Sequence, residues 1–474
     1  MIFVTIRTEK GSCRTKGTEK ETLPEILGKQ GIFLRADCGG NGSCGRCRVR
    51  FLRGASYPDR QEQEIFTREE LEAGWRLACR TRLKEDCEIL IEGGELEAAD
   101  GTAREEDLEK DIPARPHGIA VDLGTTNIVM QLVDLGDGSV RETYRAANRQ
   151  GLYGADVISR IKASGEGKKE ELKRIAKAGL LEGIRVLTKG HARKVSRISI
   201  GANTAMVHLL MGYSCRTLGV HPFLPVNLGP VRMGYQELFG DNRQNAEVWI
   251  FPGISAFLGG DLVAGLYALE FEKKEGPVML ADLGTNGELA LSFRGKILAA
   301  SAAAGPAFAG GGIEQGSEAL DLIWNLRKQG RMDETGRLKE PYFSEGILLP
   351  FGRRYGQRDI RNLQLAKAAI RAGMETLILE AGIRAGDLEE VYLAGAFGCG
   401  TDVQKAAEIG LLPAVCADRI RIAGNSCLSG AVKYLLDPQA AMTAEAVVRA
   451  SREIPLCASR KFSDLYMEHM GFES

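Results

Sequence analysis

The stretch GIAVDLGTTNIVMQLVDL occupies residues 118–135, and VMLADLGTNGELALSFRGKIL occupies residues 278–298. Each begins with an apolar run typical of a buried strand, passes through D-L-G-T into a short turn, and continues as a second apolar strand. A hairpin that recurs within one chain indicates a duplicated unit. The sequence therefore predicts two similar α/β half-domains, at residues 117–270 and 271–474, facing each other across a cleft.

The two turns carry residue types suited to nucleotide phosphates. Backbone N–H groups and threonine hydroxyls can converge on phosphate oxygens, and an aspartate beside them can hold Mg²⁺ through water or orient an attacking water. The alternative is a pair of tight hairpins with ordinary turn residues. We predict Asp122 and Asp282 as the catalytic pair, with phosphate contacts from Gly124, Thr125, Thr126, Gly284, Thr285 and Asn286.

A separate cluster of cysteines lies near the start of the chain. Residues 37–47 read DCGGNGSCGRC, which gives the spacing C-x5-C-x2-C, and Cys79 follows at a distance. Four thiolates suit a [2Fe–2S] cluster, and the glycines allow the backbone to approach it closely. Zinc knuckles pair cysteines as two close units, and plain structural cysteines are the other alternative. We predict that the cluster ligands are Cys38, Cys44, Cys47 and Cys79.

Charge and composition argue against several classes of function and location. The formal net charge of −1 over 474 residues argues against broad binding of nucleic acid or an anionic membrane. No apolar run reaches the roughly 20 residues that a membrane helix needs, and the first residues alternate like a strand rather than a signal peptide. Residues 1–93 are predicted to form a small α+β domain, and the acidic stretch 94–116 a linker. We expect a cytoplasmic protein whose other cysteines are mostly small buried residues.

These motifs resemble two known families of folds. The segment around Cys38 to Cys47 resembles the β-grasp [2Fe–2S] ferredoxins. The two D-L-G-T hairpins, followed by AGAFG at residues 394–398, resemble the superfamily of ATP-binding folds shared by actin, heat-shock chaperones and sugar kinases. The fold class implied is an α+β β-grasp ferredoxin domain followed by an α/β actin-like, duplicated ribonuclease H-like ATPase domain.

Further strings narrow the resemblance to the reductive activators of corrinoid proteins. They are NRQGLYGADVISRI (148–161), GANTAMVHLL (201–210), DLGTNGE (282–288), SAAAGPAF (301–308), RDIRNLQLAKAAI (358–370) and IGLLP (409–413). The resemblance spans nearly the whole chain. It has one departure, because the stretch after A-G-P-A-F is compressed to GGGIEQGSEALDLIWNL at residues 310–326.

The resemblance implies an activity and its cofactors. It implies ATP-dependent electron transfer from a [2Fe–2S] cluster to a corrinoid protein, giving Co(I) from Co(II), with ATP and Mg²⁺ in the cleft. It also implies an upstream low-potential electron donor, and it leaves a homodimer open. Beside the phosphate-loop residues named above, it implies that Gly395, Ala396 and Gly398 border the adenosine. It also implies that Gly305 and Pro306 shape the floor of the cleft.

Other functions remain open from the residues themselves. One is a small-molecule kinase of the same superfamily that carries a redox module, and another is a redox sensor that binds ATP without turning it over. ATP-driven activation of a radical dehydratase is close in mechanism, but those activators hold a [4Fe–4S] cluster between subunits. An ATPase measurement with and without a corrinoid protein distinguishes the first two from an activator.

Overall fold

The computed structural model describes residues 2–8, 11–19, 21–28, 32, 34, 45, 47–91, 116–190, 193–284, 286–303, 316–349, 354–395 and 401–472. Among these residues, no helix is both long enough and apolar enough to cross a membrane.

The N-terminal domain is a small mixed sheet with short helices. Its five strands lie in the order β2-β1-β5-β3-β4, in which β1 and β5 are parallel and the other neighbours antiparallel. The strands are β1 (Ile2–Thr8), β2 (Gly11–Gly17), β3 (Arg48–Arg53), β4 (Trp75–Leu77) and β5 (Cys87–Leu90). The helices are α1 (Leu23–Gly28), α2 (Arg60–Ile65) and α3 (Arg68–Glu72). This confirms the predicted α+β class of the domain.

Local details of this domain differ from the sequence prediction. The sequence predicts a helix from Glu21 to Gln30; α1 begins at Leu23 and is described as far as Gly28, and residues 29–30 lie outside the described residues. The strand predicted over residues 76–81 ends at Leu77, where a 3₁₀ turn over Ala78–Arg80 begins. Helix α3 begins as its T-R-E-E start predicts, because the Thr67 and Glu70 side chains bond each other's backbone N–H groups in a capping box.

The first half of the C-terminal region is built on a six-stranded sheet in the order β10-β11-β9-β6-β7-β8. Its strands are β6 (His117–Leu123), β7 (Asn127–Asp134), β8 (Val140–Ala147), β9 (Val195–Ala202), β10 (Val231–Gly234) and β11 (Glu247–Ile250). Its helices are α4 (Val157–Ala163), α5 (Lys169–Leu187), α6 (Thr204–Met211), α7 (Tyr235–Phe239) and α8 (Gly260–Ala268). The sequence also predicts a helix over residues 167–188, and α5 lies within that range.

The second half repeats this plan with a sheet in the order β18-β17-β12-β13-β14-β19. Its strands are β12 (Val278–Leu283), β13 (Gly287–Phe293), β14 (Lys296–Ala302), β17 (Glu390–Ala394), β18 (Ile420–Gly424) and β19 (Ser451–Glu453), and a separate hairpin pairs β15 (Ile347–Leu348) with β16 (Arg354–Tyr355). Its helices are α9 (Gly316–Lys328), α10 (Tyr342–Glu345), α11 (Gln357–Glu380), α12 (Val403–Glu408), α13 (Ser426–Leu436), α14 (Ala440–Ala450) and α15 (Arg460–Glu468).

The two sheets share one topology. In each, three antiparallel strands in sequence are followed by two strands that add in parallel on the other side of the first strand. The shared order is β8-β7-β6-β9-β11 in one sheet and β14-β13-β12-β17-β18 in the other. The duplication predicted from the two hairpins is therefore a duplication of the whole sheet.

After the last of the five strands that the sheets share, each half sends a helix to the other half. Helix α13 follows β18 but packs on the first sheet, where the Ser199 hydroxyl donates to the Ala431 carbonyl at 2.5 Å and Arg197 donates to the Leu435 carbonyl at 3.0 Å. Helix α8 follows the first sheet, and its apolar side chains join a core with Leu280 and Ala290 of the second sheet. The two halves are thus joined through exchanged helices.

The exchanged helices approach each other at Gly430, and this contact yields a prediction. A Cβ at Gly430 would overlap the Ala264 backbone carbonyl of α8, which cannot rotate away. We expect Gly430→Val to lower the free energy of unfolding by about 2 kcal/mol or more, because overpacking forces the helices apart. The matched control, Ser429→Val, places the same side chain on the exposed face. Thermal and urea unfolding measure both variants, and equal stabilities would contradict the close contact.

The last residues of the chain complete the second half. Strand β19 pairs in parallel with β14 at the edge of the sheet. Phe472 is buried, its backbone carbonyl accepts a hydrogen bond from Arg327, and the Lys367 ammonium donates to the Gly471 carbonyl at 2.5 Å. The segment after residue 450, which carries no sequence motif, is therefore an integral part of the fold.

Candidate functional site

The first D-L-G-T turn is held from two sides. Asn148 donates its backbone N–H to the Thr126 carbonyl at 2.7 Å and its side-chain amide to the Gly124 carbonyl at 2.8 Å. Asn203, which caps helix α6, donates its amide to the Thr125 hydroxyl at 3.0 Å. Thr125 is buried, whereas Thr126 is exposed. The turn thus has a fixed shape, in which Thr125 is enclosed and Thr126 lies at the surface.

The second turn lies against the end of strand β17. The Gly284 N–H donates to the Asn286 carbonyl at 3.0 Å, and Asp282 pairs with Ala394 in the parallel ladder. Gly395 follows with φ +84°, and a Cβ there would lie 2.5 Å from the Leu283 carbonyl and 2.6 Å from Asp282 Oδ1. Only glycine fits this position, since it tolerates a positive φ and leaves room for the close approach.

The start of helix α13 connects the two predicted catalytic aspartates. The Asn425 amide donates to Asp122 Oδ2 at 2.6 Å, and the Ser426 hydroxyl donates to Asp282 Oδ2 at 2.9 Å. The structure therefore brings Asp122 and Asp282, which come from different halves, to the same helix end. The sequence interpretation did not include Asn425 or Ser426.

Four carboxylates near the two D-L-G-T turns interact with one another. Burial, and then repulsion from Asp122 and Asp282, raises the pKa of Asp261 at the start of α8 to about 7. Burial and the charge of Asp122 raise the pKa of Asp282 to about 6, and burial raises the pKa of Asp122. The pKa of Glu288, which opens strand β13, is raised well above its usual value by burial and by the other three. Asp261 is a further residue that the sequence interpretation missed.

This donor set fits a nucleotide that brings a magnesium ion. A divalent cation stabilises the ionised form of clustered carboxylates whose pKa is raised, because its charge offsets both their desolvation and their mutual repulsion. Within the described part of the chain, no three histidine, cysteine, aspartate or glutamate side chains form a ready metal cage. Mg²⁺ commonly binds through water, one or two carboxylates and substrate phosphates, so a cage is not required. Gly395 lets the second turn and Asp282 pack directly against the end of strand β17.

Two of the four predicted cluster ligands lie side by side in the N-terminal domain. The Cys79 backbone N–H donates to the Cys47 sulfur at 3.5 Å, and the Ala78 N–H donates to the Cys47 carbonyl at 2.8 Å. Cys47 is buried just before β3, and Cys79 lies half-buried in the 3₁₀ turn after β4. An N–H directed at a thiolate sulfur is the environment that iron–sulfur clusters use. The pair therefore fits a cluster-binding role.

The surroundings of Cys79 are fixed by one buried hydrogen bond and one exposed ion pair. The buried Glu62 carboxylate accepts the Leu77 N–H at 2.7 Å, and Arg80 pairs with Asp59 at 2.8 Å. The side-chain bond to Asp59 raises the pKa of Arg80. These contacts anchor the 3₁₀ turn that carries Cys79 to helix α2.

Several predicted site residues lie outside the described part of the chain. They are Cys38, Cys44, Thr285, Gly305, Pro306, Ala396 and Gly398. Their roles stay predictions, as do those of the described site residues. The compressed stretch 310–326 is described only from residue 316, where it forms most of α9. Of the scattered cysteines, Cys87, Cys215, Cys416 and Cys427 are buried as expected, but Cys457 is exposed.

Comparison with known families matches three consecutive regions. Residues 8–84 match a 2Fe-2S iron-sulfur cluster binding domain. Residues 117–274 match the RACo middle region, and residues 276–330 with 354–474 match the C-terminal domain of RACo, the ASKHA domain. The class of protein is therefore a [2Fe–2S] ferredoxin domain joined to a domain of the actin, chaperone and sugar-kinase fold.

Individual relatives narrow this class. The corrinoid activation enzyme RamQ of Eubacterium limosum is 30% identical over 433 residues, covering 77% of this chain and 71% of that protein. The Co(II) methylated amine-specific corrinoid protein reductase of Methanosarcina barkeri is 25% identical over 429 residues, covering 75% and 77%. The solved structure of a reductive activator for a corrinoid, iron-sulfur protein has the same fold, with a TM-score of 0.69 and 23% identity over 100% of this chain and 98% of that one. The chain belongs to the RACo family of reductive activators of corrinoid proteins, which confirms the predicted resemblance.

Proposed function

We propose that this protein reduces the Co(II) form of a corrinoid protein to Co(I), transferring one electron at a time from its N-terminal domain in a process driven by ATP in the cleft. The observation that carries the proposal is the connection of Asp122 and Asp282, one from each half, within a group of four interacting carboxylates. A site assembled from both halves changes when they move, so nucleotide turnover there can be coupled to movement of a bound partner.

The N-terminal domain has a separate task. A [2Fe–2S] cluster held by Cys38, Cys44, Cys47 and Cys79 would supply single electrons at low potential, of order −400 mV for plant-type centres. The chain positions Cys79 through Arg80 and Asp59 and directs the Cys79 N–H at Cys47. Because each tenfold change in a one-electron equilibrium corresponds to about 59 mV, a Co(II) acceptor of lower potential is reduced only in small yield without another energy source.

In the cleft, the residues of the chain bind and orient the nucleotide. Thr126 is exposed in the turn that follows Asp122, and Gly395 lets Asp282 and the second turn pack against the end of β17. Asp122 and Asp282 would hold Mg²⁺ through water and orient the water that attacks the phosphate. The proposal further includes a cytoplasmic location, an upstream low-potential donor and a corrinoid protein as partner, and it leaves the oligomeric state open.

The test combines the purified protein, a chemical reductant and a Co(II) corrinoid protein under anaerobic conditions. With ATP and Mg²⁺ we expect the absorption of Co(I) to appear, and with a non-hydrolysable analogue or no nucleotide we expect only a small fraction. Equal Co(I) formation without nucleotide would rule out the energy coupling. ATPase activity stimulated by a metabolite rather than by the corrinoid protein would instead favour a kinase, and stimulation by neither would favour a sensor.

A further inference from the structure

We propose that Asn425, Ser426 and Cys427, at the start of helix α13, are positioning residues that hold Asp122 and Asp282 at a fixed separation and so preassemble the nucleotide site across the two halves. We call these three consecutive residues the α13 clasp. This inference rests on the proposed use of nucleotide in the cleft, and it assigns a role to residues that do not belong to either D-L-G-T turn.

Asn425 has two separate bonding partners. Its side-chain oxygen accepts the Leu428 N–H at 2.8 Å and thereby caps helix α13, while its amide nitrogen donates to Asp122 at 2.6 Å. Capping the helix uses only the side-chain oxygen of Asn425, so its amide N–H can bond Asp122 without weakening the cap. Asn425 thus fixes Asp122 relative to a helix that belongs, by chain order, to the other half.

The next two residues complete the clasp. The Ser426 hydroxyl donates to Asp282 at 2.9 Å, and the Cys427 thiol, which is buried, hydrogen-bonds to Asp122. A Cβ at Gly201, which pairs with Asp122 in the sheet, would overlap the Cys427 sulfur, so the thiol fits closely against the strand next to β6. Each aspartate is therefore held by a side chain of one rigid helical turn.

The α13 clasp is packed against α8, and its helix is bonded to the first sheet. Close behind it, Ser426 lies against Gly265 of α8, where a Cβ would be 2.6 Å from the Ser426 hydroxyl oxygen. Helix α13 itself is bonded to the first sheet through Ser199 and Arg197. The separation of Asp122 and Asp282 is consequently set by the packing of the two exchanged helices rather than by the turns themselves.

The chain offers variants that separate positioning from helix stability. Asn425→Ser retains a capping oxygen but has no amide that reaches Asp122, and Ser426→Ala removes only the hydroxyl that binds Asp282. The matched control is Ser429→Ala, which removes an exposed hydroxyl bonded to the Asn425 carbonyl on the same helix. We expect the melting temperature of the full-length variants to stay within about 3 °C of the wild type.

The experiment measures hydrogen exchange in the nucleotide-free protein and the binding of ATP with Mg²⁺ by calorimetry. In Asn425→Ser/Ser426→Ala we expect amide exchange in the turns after Asp122 and Asp282 to speed up at least about fivefold, and the Kd for ATP to rise about tenfold. Ser429→Ala should match the wild type in both readouts. If the double variant does not fold, Ser426→Ala alone is expected to show the faster exchange at the Asp282 turn.

Unchanged exchange in both turns would overturn the clasp, and so would faster exchange with an unchanged Kd. A failure of the proposed function is recognised differently, because wild-type protein would then give no ATP-dependent Co(I). In that case the exchange measurement still decides whether the clasp positions the two turns, since it needs no nucleotide.

Discussion

Cys79→Ala is expected to abolish reduction of the corrinoid partner, by a factor of about 100 or more, together with the visible absorption of the [2Fe–2S] cluster. The side chain lies beside Cys47, and alanine offers no donor atom to iron. The 3₁₀ turn carries Ala78 already, so a second alanine should not disturb its backbone. Absorption spectra and iron content of anaerobically reconstituted protein give the direct readout.

A matched control for this change exists in the same domain. Cys13 lies on β2, half-buried, and is paired with Ile6 across the sheet. Cys13→Ser should leave the spectrum and the iron content unchanged. ATP binding by Cys79→Ala should also equal that of the wild type, since the change lies outside the cleft. A normal cluster spectrum in Cys79→Ala would remove Cys79 from the ligand set.

Asp282→Asn is expected to lower ATP-dependent Co(I) formation by about 100-fold, because it removes a charge directed at the site of phosphate chemistry. The same change should stabilise the free protein. Burial and the charge of Asp122 raise the pKa of Asp282 to about 6, so its ionised form is disfavoured in the fold. Asparagine is similar in size and can still accept the hydrogen bond from Ser426.

The pH dependence of this stabilisation has a definite sign. The folded protein binds the Asp282 proton more tightly than the unfolded chain, whose carboxyl has a pKa near 3.8. Stability contributed by this group therefore falls as the pH rises from 3.8 to about 6, by an amount on the order of 1–3 kcal/mol. We expect the advantage of Asp282→Asn to be complete at pH 8 and to shrink as the pH is lowered from about 6 toward 3.8.

Thermal unfolding without nucleotide or Mg²⁺ measures this effect, and steady-state Co(I) formation measures the activity. Asp464→Asn, on the exposed surface of α15, should change neither. A variant that loses activity and stability together would indicate a structural rather than a catalytic role for Asp282.

The paired hairpins and the fold class were predictable because buried strands of an α/β sheet are continuous apolar runs. Strand β2 was missed for the opposite reason. Its sequence GSCRTKG has no apolar alternation, and an edge strand of this kind is specified by its ladder to β1 rather than by its own residues. The apolar pattern predicts a helix over residues 364–381, whereas α11 begins at Gln357. The first turns were missed because Arg358 and Arg361 alternate with the buried Ile360 and Leu363, so that stretch reads as polar.

The cleft residues outside the D-L-G-T turns were harder to predict, but one signal existed. GANT at residues 201–204 and AGNS at 423–426 each end a parallel strand and open a helix with an asparagine cap. In both, the oxygen caps the helix and the amide is directed at the first turn, at Thr125 or Asp122. No sequence motif marked Asp261. It lies at the start of α8, and its place beside the other carboxylates depends on the crossing of α8 between the halves.

Because α8 and α13 are exchanged, each of these helices packs on the half of the protein to which it does not belong in chain order. A polypeptide that ended near residue 275 would contain α8 but lack Leu280 and Ala290, against which α8 packs. The remaining polypeptide would contain α13 but lack Ser199, which hydrogen-bonds to α13. Each fragment would keep the core cluster within its own half, but the core that both halves share would be left open. The two copies of the duplicated sheet are thus interdependent for solubility, and shortening or grafting one copy alone would leave apolar surface open to aggregation.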